Sequence, residues 1–180
     1  MARSVLLSLL LGLGLCCQRP VEAPLGIGRP VGEAEVAARD LSVFPGGAGL
    51  PRGHGTAREG RPLFAAQCAA CHGANGEGRD DYPALVGGRG TLASANPLLT
   101  VGSYWPYATT VWDYIHRAMP YATPGALSAD ETYAVTAFLL SANGIVGEDA
   151  VLDERTLPAV GMPNRGGFID DPRPDVVSAR

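Results

Sequence analysis

The sequence contains no lysine: all 14 of its positive charges are arginine, set against 18 acidic residues. The formal net charge is −4 and no basic run occurs anywhere, so the cationic footprint of a nucleic-acid-binding protein is missing. Charged residues amount to only 18%, yet hydrophobic residues reach 46%, a balance that argues against disorder throughout the chain. No apolar stretch reaches the roughly 20 residues that a membrane-spanning helix needs. Cysteine is sparse, with four residues at Cys16, Cys17, Cys68 and Cys71. What is plentiful is Gly, at 24, and Pro, at 15 of 180 residues, just under the share of about 25–30% that marks a low-complexity chain. The length allows one domain, or one small domain with long extensions. The missing Lys, beside so much Ala, Gly and Pro, reads as codon bias rather than chemistry.

Arg3 followed by the apolar stretch Val5 to Cys17 has the form of a secretory signal peptide, too short to cross a bilayer. Residues 1–23 are therefore assigned to an export signal and the mature protein to the periplasm. The cleavage site is ill-defined: Val21-Glu22-Ala23 is only loosely a small-residue site, and Pro24 follows it. Cys16 and Cys17 offer a lipid anchor as an alternative, which the bulky Leu15 disfavours. No transmembrane segment is expected in the mature chain.

Residues 24–55 are dense in Gly and Pro, as in Pro45-Gly46-Gly47-Ala48-Gly49-Leu50-Pro51, and read as an N-terminal arm with one short helix between Gly32 and Asp40. At Thr56 the pattern changes. Thr56-Ala57-Arg58-Glu59 is a capping box opening an Ala-rich helical run through Ala70. Pro62 breaks one backbone bond there, so either the first turn is irregular or the regular helix begins at Pro62. Gly73 to Gly102 alternates turn residues with short apolar stretches. A second helix is expected over Ala108 to Ala118, where Val111, Tyr114, Ile115 and Ala118 recur at helical spacing, with Pro120 ending it. Ser128-Ala129-Asp130-Glu131 is a further capping box, opening a helix to Ala142 with Asn143-Gly144 as its stop. Tyr133, Ala134, Ala137, Phe138 and Ser141 trace one side of it. Residues 56–146 form the compact domain, 147–180 read as a C-terminal extended tail, and no convincing strand is found.

The chemistry lies in Cys68-Ala69-Ala70-Cys71-His72, the attachment pattern of c-type haem. On one helical turn, thiols three residues apart can both reach the vinyl groups of one porphyrin, and the adjacent imidazole points at the iron. A thioredoxin-like centre would sit in a βαβ setting, which is absent. A zinc site would need four ligands, and neither a second Cys pair nor His54 and His116 restore its spacing. One covalently bound haem c, with His72 as an iron ligand, is the expectation. The sixth ligand has four candidates: Met119, Met162, His54 and His116. Met119-Pro120 is favoured because it follows the middle helix at a sharp turn before the last one, whereas Met162-Pro163 falls in the tail. Trp105, Tyr104, Tyr107 and Arg89 are candidates for the haem edge, with ordinary packing the more frequent role.

Thr56 to Asn143 resembles a class I cytochrome c. Gly60 and Phe64 match first-helix positions of that family, where the Gly permits a close crossing with the last helix; Val135 and Phe138 match its contacts there. Pro83-Ala84-Leu85 resembles the loop whose Pro carbonyl accepts a hydrogen bond from the proximal His, and Met119 matches the distal ligand. The resemblance implies an all-α fold of three to four helices around one covalently bound haem, here with irregular N- and C-terminal arms.

Further stretches are similar to the cytochrome subunits of sulfite and sulfane dehydrogenases: Gly26 to Pro30, Gly49 to Thr56, Val101 to Tyr107, Trp112 to Pro120, Tyr133 to Val146 and Leu157 to Arg165. That resemblance implies a partner subunit carrying a molybdenum cofactor, which oxidises a sulfur compound and passes electrons through this chain to a downstream cytochrome or oxidase. It also implies that the arms dock on that partner, with plain flexible termini as the alternative. The chain carries a single Cys-x-x-Cys-His, so it corresponds to a one-haem version. Catalysis on the sulfur substrate is not expected from this chain itself. Two alternatives stand beside this reading: a free soluble periplasmic electron shuttle unconnected with sulfur oxidation, and an open-site haem sensor or enzyme.

Overall fold

The computed structural model describes residues 26–169 and 171. The export signal and anchor expectations at residues 1–23 lie outside them. The chain divides at Arg39/Asp40 into two units. In the first, α1 (Glu33–Ala37) is one short turn of helix with no buried residue, inside the span expected for it.

The second unit is built on α2 (Ala57–Gln67), α3 (Ala69–His72), α4 (Ala108–Ala118) and α5 (Ala129–Ala142). Both expected capping boxes are present: Thr56 with Glu59, and Ser128 with Glu131, each exchange bonds between side chain and backbone. These boxes serve amides that a helix start leaves without partners. The Thr56 box sets the start of α2 at Ala57, and Pro62 lies inside the helix. The regular helix therefore does not wait for Pro62; the box anchors the turn ahead of it. The run expected to continue to Ala70 is broken at Cys68, whose φ of −123° and ψ of −36° separate α2 from α3. The Cys68 carbonyl accepts from both the Cys71 and His72 amides, at 3.1 and 2.9 Å, winding the Cys-x-x-Cys-His segment into its own turn.

Helix α4 has the expected limits. Helix α5 does too, and after it Gly144 takes φ 67° while the Ile145 amide donates to the Leu140 carbonyl at 2.9 Å. Sequence periodicity gives α5 an apolar side, but every residue from Thr132 to Leu140 is buried. It is the central helix. Its buried threonines are satisfied locally, Thr132 and Thr136 donating back to the carbonyls of Ser128 and Thr132 at 2.8 and 2.7 Å. Helix α2 crosses it at Gly60, where an added Cβ would run into the Ala134 carbonyl. The Gly60 requirement is thus steric, as the resemblance implied.

Two segments expected to be irregular also cover this helix. β1 (His54–Gly55) pairs antiparallel with β2 (Leu152–Asp153), in the register His54 with Asp153 and Gly55 with Leu152. These two-residue strands are too short to leave a pattern in the sequence. Leu152, Leu157 and Met162 from the C-terminal segment are buried in the same core as Phe64, Trp112 and Tyr133, and so is Val43 from the N-terminal side. Among the described residues no helix is long and apolar enough to cross a membrane.

Candidate functional site

An apolar cavity opens between the α3 turn and the end of α4, in two lobes of about 240 and 210 Å3. Together they have the dimensions of a cofactor site, which begins at about 300 Å3. Cys68, Cys71, Phe64 and Val135 line one lobe; Trp105, Val111 and Val101 line the other. His72 and Met119 line both, as do Leu85, Tyr114, Ile115 and Leu139. No charged side chain lines either lobe. The sequence-derived set of Cys68, Cys71, His72 and Met119 is therefore brought together on one cavity by two elements, the α3 turn and the end of α4.

The position of His72 is set by the loop that follows it. Gly73 adopts φ 81°, turning the chain back. The Gly78 amide then donates to the His72 carbonyl at 2.8 Å, and the Leu85 and Val86 amides donate to the Gly76 carbonyl at 2.8 and 2.9 Å. This places the Pro83 carbonyl 2.9 Å from His72 Nδ1. A carbonyl can only accept, so Nδ1 carries the proton and Nε2 keeps the lone pair available to a metal. The Asn143 side chain fixes the same loop to the end of α5, donating to Leu85 O at 3.1 Å and accepting from the Gly87 amide at 3.0 Å.

Cys68 and Cys71 are free thiols of intermediate burial. Burial, helped by the neighbouring Cys71, pushes the Cys68 thiol up to about 11. It is held neutral at physiological pH, the form whose S–H adds across a vinyl group to give an uncharged thioether. Two thiols, one oriented imidazole, one thioether and a charge-free slot are the complement of a covalently attached haem. Among the described residues no cluster of three or more His, Cys, Asp or Glu offers a competing metal site.

The other candidates for the sixth position lie elsewhere. His54 is exposed in β1, its backbone amide bonded to Asp130 at 2.7 Å. His116 is stacked on Trp112, with centroids 4.7 Å apart, and lines neither lobe. Met162 is 4% exposed in the core and is likewise absent from the cavity lining. Of the aromatic candidates only Trp105 reaches the cavity, where it meets Tyr114 edge to face at 5.8 Å. Tyr104 packs on Phe168, Tyr107 lies under Arg165, and Arg89 reaches the Asn143 carbonyl at 3.4 Å.

Sequence reasoning missed the polar face of α4 turned away from the cavity. Asp113, 8% exposed, accepts from Arg117 and from the Val43 amide. Burial opposes its ionisation, but the Arg117 and Val43 hydrogen bonds outweigh that and hold the carboxyl below its ordinary range. The spacing Thr109, Asp113, Arg117 was the available signal, polar residues four apart along one side of the helix.

Residues 57–143 match the Cytochrome c family. No curated protein sequence matches the chain. Among solved structures, a chain of the sulfane dehydrogenase SoxCD from Paracoccus pantotrophus is 48% identical, with a TM-score of 0.76. The alignment covers 83% of this chain and 74% of that one. With the Cys-x-x-Cys-His turn, the oriented His72 and the opposing Met119 all facing one apolar slot, this chain belongs to the cytochrome c family: an electron-transfer protein carrying covalently bound haem c.

Proposed function

We propose that the protein is the electron-accepting cytochrome subunit of a periplasmic sulfane or sulfite dehydrogenase. Its partner is a molybdenum-cofactor subunit that oxidises the sulfur compound, and a downstream cytochrome or oxidase receives the electrons. The observation carrying this reading is the reach of the similarity to the SoxCD chain. It covers 83% of the sequence, whereas the haem domain accounts only for residues 57–143. Flanking segments shared with a chain of a dehydrogenase complex fit a subunit better than a free shuttle.

Cys68 and Cys71 would hold the porphyrin as thioethers, and His72 Nε2 and the Met119 sulfur would ligate its iron. Haem held there would supply a one-electron iron couple, suited to taking singly the two electrons that a sulfur oxidation releases. The Pro83 carbonyl, by accepting from Nδ1, keeps the His72 ring in one tautomer and one orientation. Met119 offers a soft, neutral ligand, which raises the reduction potential relative to a second imidazole. The apolar walls from Leu85, Ile115, Val135 and Leu139 exclude water from the iron's surroundings.

The arm before Asp40 docks on the partner. It presents Ile27, Val31 and Val36 at 87%, 54% and 51% exposure, and the resemblance includes its first described residues.

The test is reduction of the oxidised holoprotein by sulfite or a sulfane compound, with and without the purified molybdenum subunit, together with its elution from the native source. Reduction that depends on that subunit, and co-elution with molybdenum, are the expected results. Lone elution with no partner-dependent reduction would leave the free-shuttle reading. A spectrum without the methionine-to-iron charge-transfer band in the oxidised protein would leave the open-site one.

A further inference from the structure

Helix α4 has two faces with different duties. Tyr114, Ile115 and Met119 belong to the cavity side. The opposite side carries Thr109, Trp112 and Asp113, all buried. Trp112 packs on Tyr133 of α5, the turn at Leu157–Ala159 also lies against α4, and Thr109 and Asp113 are met by the segment just before the haem domain, residues 40–51. The Thr109 hydroxyl donates to the Pro45 carbonyl at 3.0 Å, and Asp113 Oδ1 accepts the Val43 amide at 2.9 Å. One turn on, Arg117 completes the carboxylate with bonds of 2.9 and 2.6 Å. A further tether, Tyr133 to the Pro51 carbonyl at 2.9 Å, holds the far end of the segment to α5. The segment is itself a closed loop, with the Phe44 amide on the Ala48 carbonyl at 2.9 Å and the Gly47 amide on the Phe44 carbonyl at 2.8 Å.

α2 and α5 each start on a capping box, but no side chain caps the start of α4. Apolar packing alone tolerates small rotations and slides of a helix, because it has no direction. Buried hydrogen bonds have direction, and losing one leaves a desolvated group without a partner. The bonds at Thr109 and Asp113 therefore add a directional restraint on the rotation and axial position of α4 to its packing against α5. Met119 is the residue immediately after that helix, its amide still bonded to the Ile115 carbonyl at 3.0 Å.

We infer that residues 40–51 are a strap that positions α4 from behind, and that Asp113 is a positioning residue for the Met119 sulfur. The inference rests on the assignment of Met119 as an axial ligand.

The test compares Asp113→Ala, Asp113→Asn and Thr109→Val with the wild-type full-chain holoprotein. The readouts are the methionine-to-iron charge-transfer band, hydrogen exchange at the Val43 amide, and the affinity of the oxidised protein for added imidazole, which competes with the Met119 sulfur. Asp113→Ala should speed exchange at Val43, weaken the band and tighten imidazole binding by about tenfold, the scale of one hydrogen bond to a charged group. Asp113→Asn keeps an acceptor for the Val43 amide and should stay near wild type. Thr109→Val, the milder change, should move imidazole affinity in the same direction as Asp113→Ala. Wild-type imidazole affinity and an intact band in Asp113→Ala and Thr109→Val, even with lower thermal stability, would overturn the positioning role alone. If Asp113→Ala does not fold, Thr109→Val decides by the same criterion. Absence of the band from the wild-type protein would overturn it together with the axial assignment of Met119.

Discussion

The two Met-Pro dipeptides show how little a residue's identity says apart from its place. Met119 lines the cavity from the end of α4, whereas Met162 is packed into the core from the C-terminal segment. Met119→Ala is expected to abolish the charge-transfer band and lower the reduction potential, with a modest effect on folding. Met162→Ala is expected to leave the visible spectrum and potential unchanged while costing about 2–5 kcal/mol of stability, as for other truncated core side chains. Denaturant unfolding and a redox titration of the two variants check this pair. His72 was legible because its neighbours in sequence announce it. Its restraint by Pro83 was legible only by resemblance, since the bond spans eleven residues and local periodicity carries no information at that distance.

Among the elements, the starts of α2 and α5 and the end of α5 were readable because their signals are local: a Ser or Thr cap, Glu three positions on and, for α5, a Gly stop. Their contact depends on Gly60. Gly60→Ala would drive a methyl group into the backbone at Ala134, and since backbone cannot swing aside as a side chain can, a loss of about 1–3 kcal/mol or more is expected in denaturant unfolding.

The caps also set an acid limit. Bonds from the Ser128 backbone and hydroxyl hold the Glu131 carboxyl below its ordinary range, and the Thr56 hydroxyl and backbone do the same for Glu59. A carboxyl depressed in the folded state contributes stability above its unfolded value of about 4.3, and that contribution disappears as pH falls through the folded value. Melting temperatures of wild type and Glu131→Gln should therefore differ at neutral pH and converge on acidification below about pH 4. The break between α2 and α3 and the pairing of β1 with β2 escaped the sequence, for each is a matter of one or two residues.

For the molecule as a whole, the flanks divide into parts with different attachments. Residues 40–51 and the segment through Met162 share the core of the haem domain, through Val43, Leu152, Leu157 and Met162. The stretch before Asp40 belongs to a separate unit. Removing the residues up to Arg39 should leave the haem spectrum and melting temperature unchanged while weakening affinity for the proposed partner subunit, as measured by titration calorimetry. Unchanged affinity would remove the arm from the docking surface. Truncation at Glu148, by contrast, should destabilise the haem domain itself, because three core side chains go with it.

By itself the sequence determined the chemistry: two thiols and an imidazole on one turn, three longer helices with the capping boxes of two of them, and the absence of the basic charge that nucleic-acid binding needs. These are short-range properties, set by residue type and spacing of a few positions. Tertiary structure decided which of four candidate ligands faces the cavity, why Gly and Pro on both flanks are folded against helices, and where Asp113 and Thr109 find their partners. Those outcomes depend on directional hydrogen bonds and close packing between residues some 60 to 80 positions apart. No spacing rule connects such residues until the chain is folded.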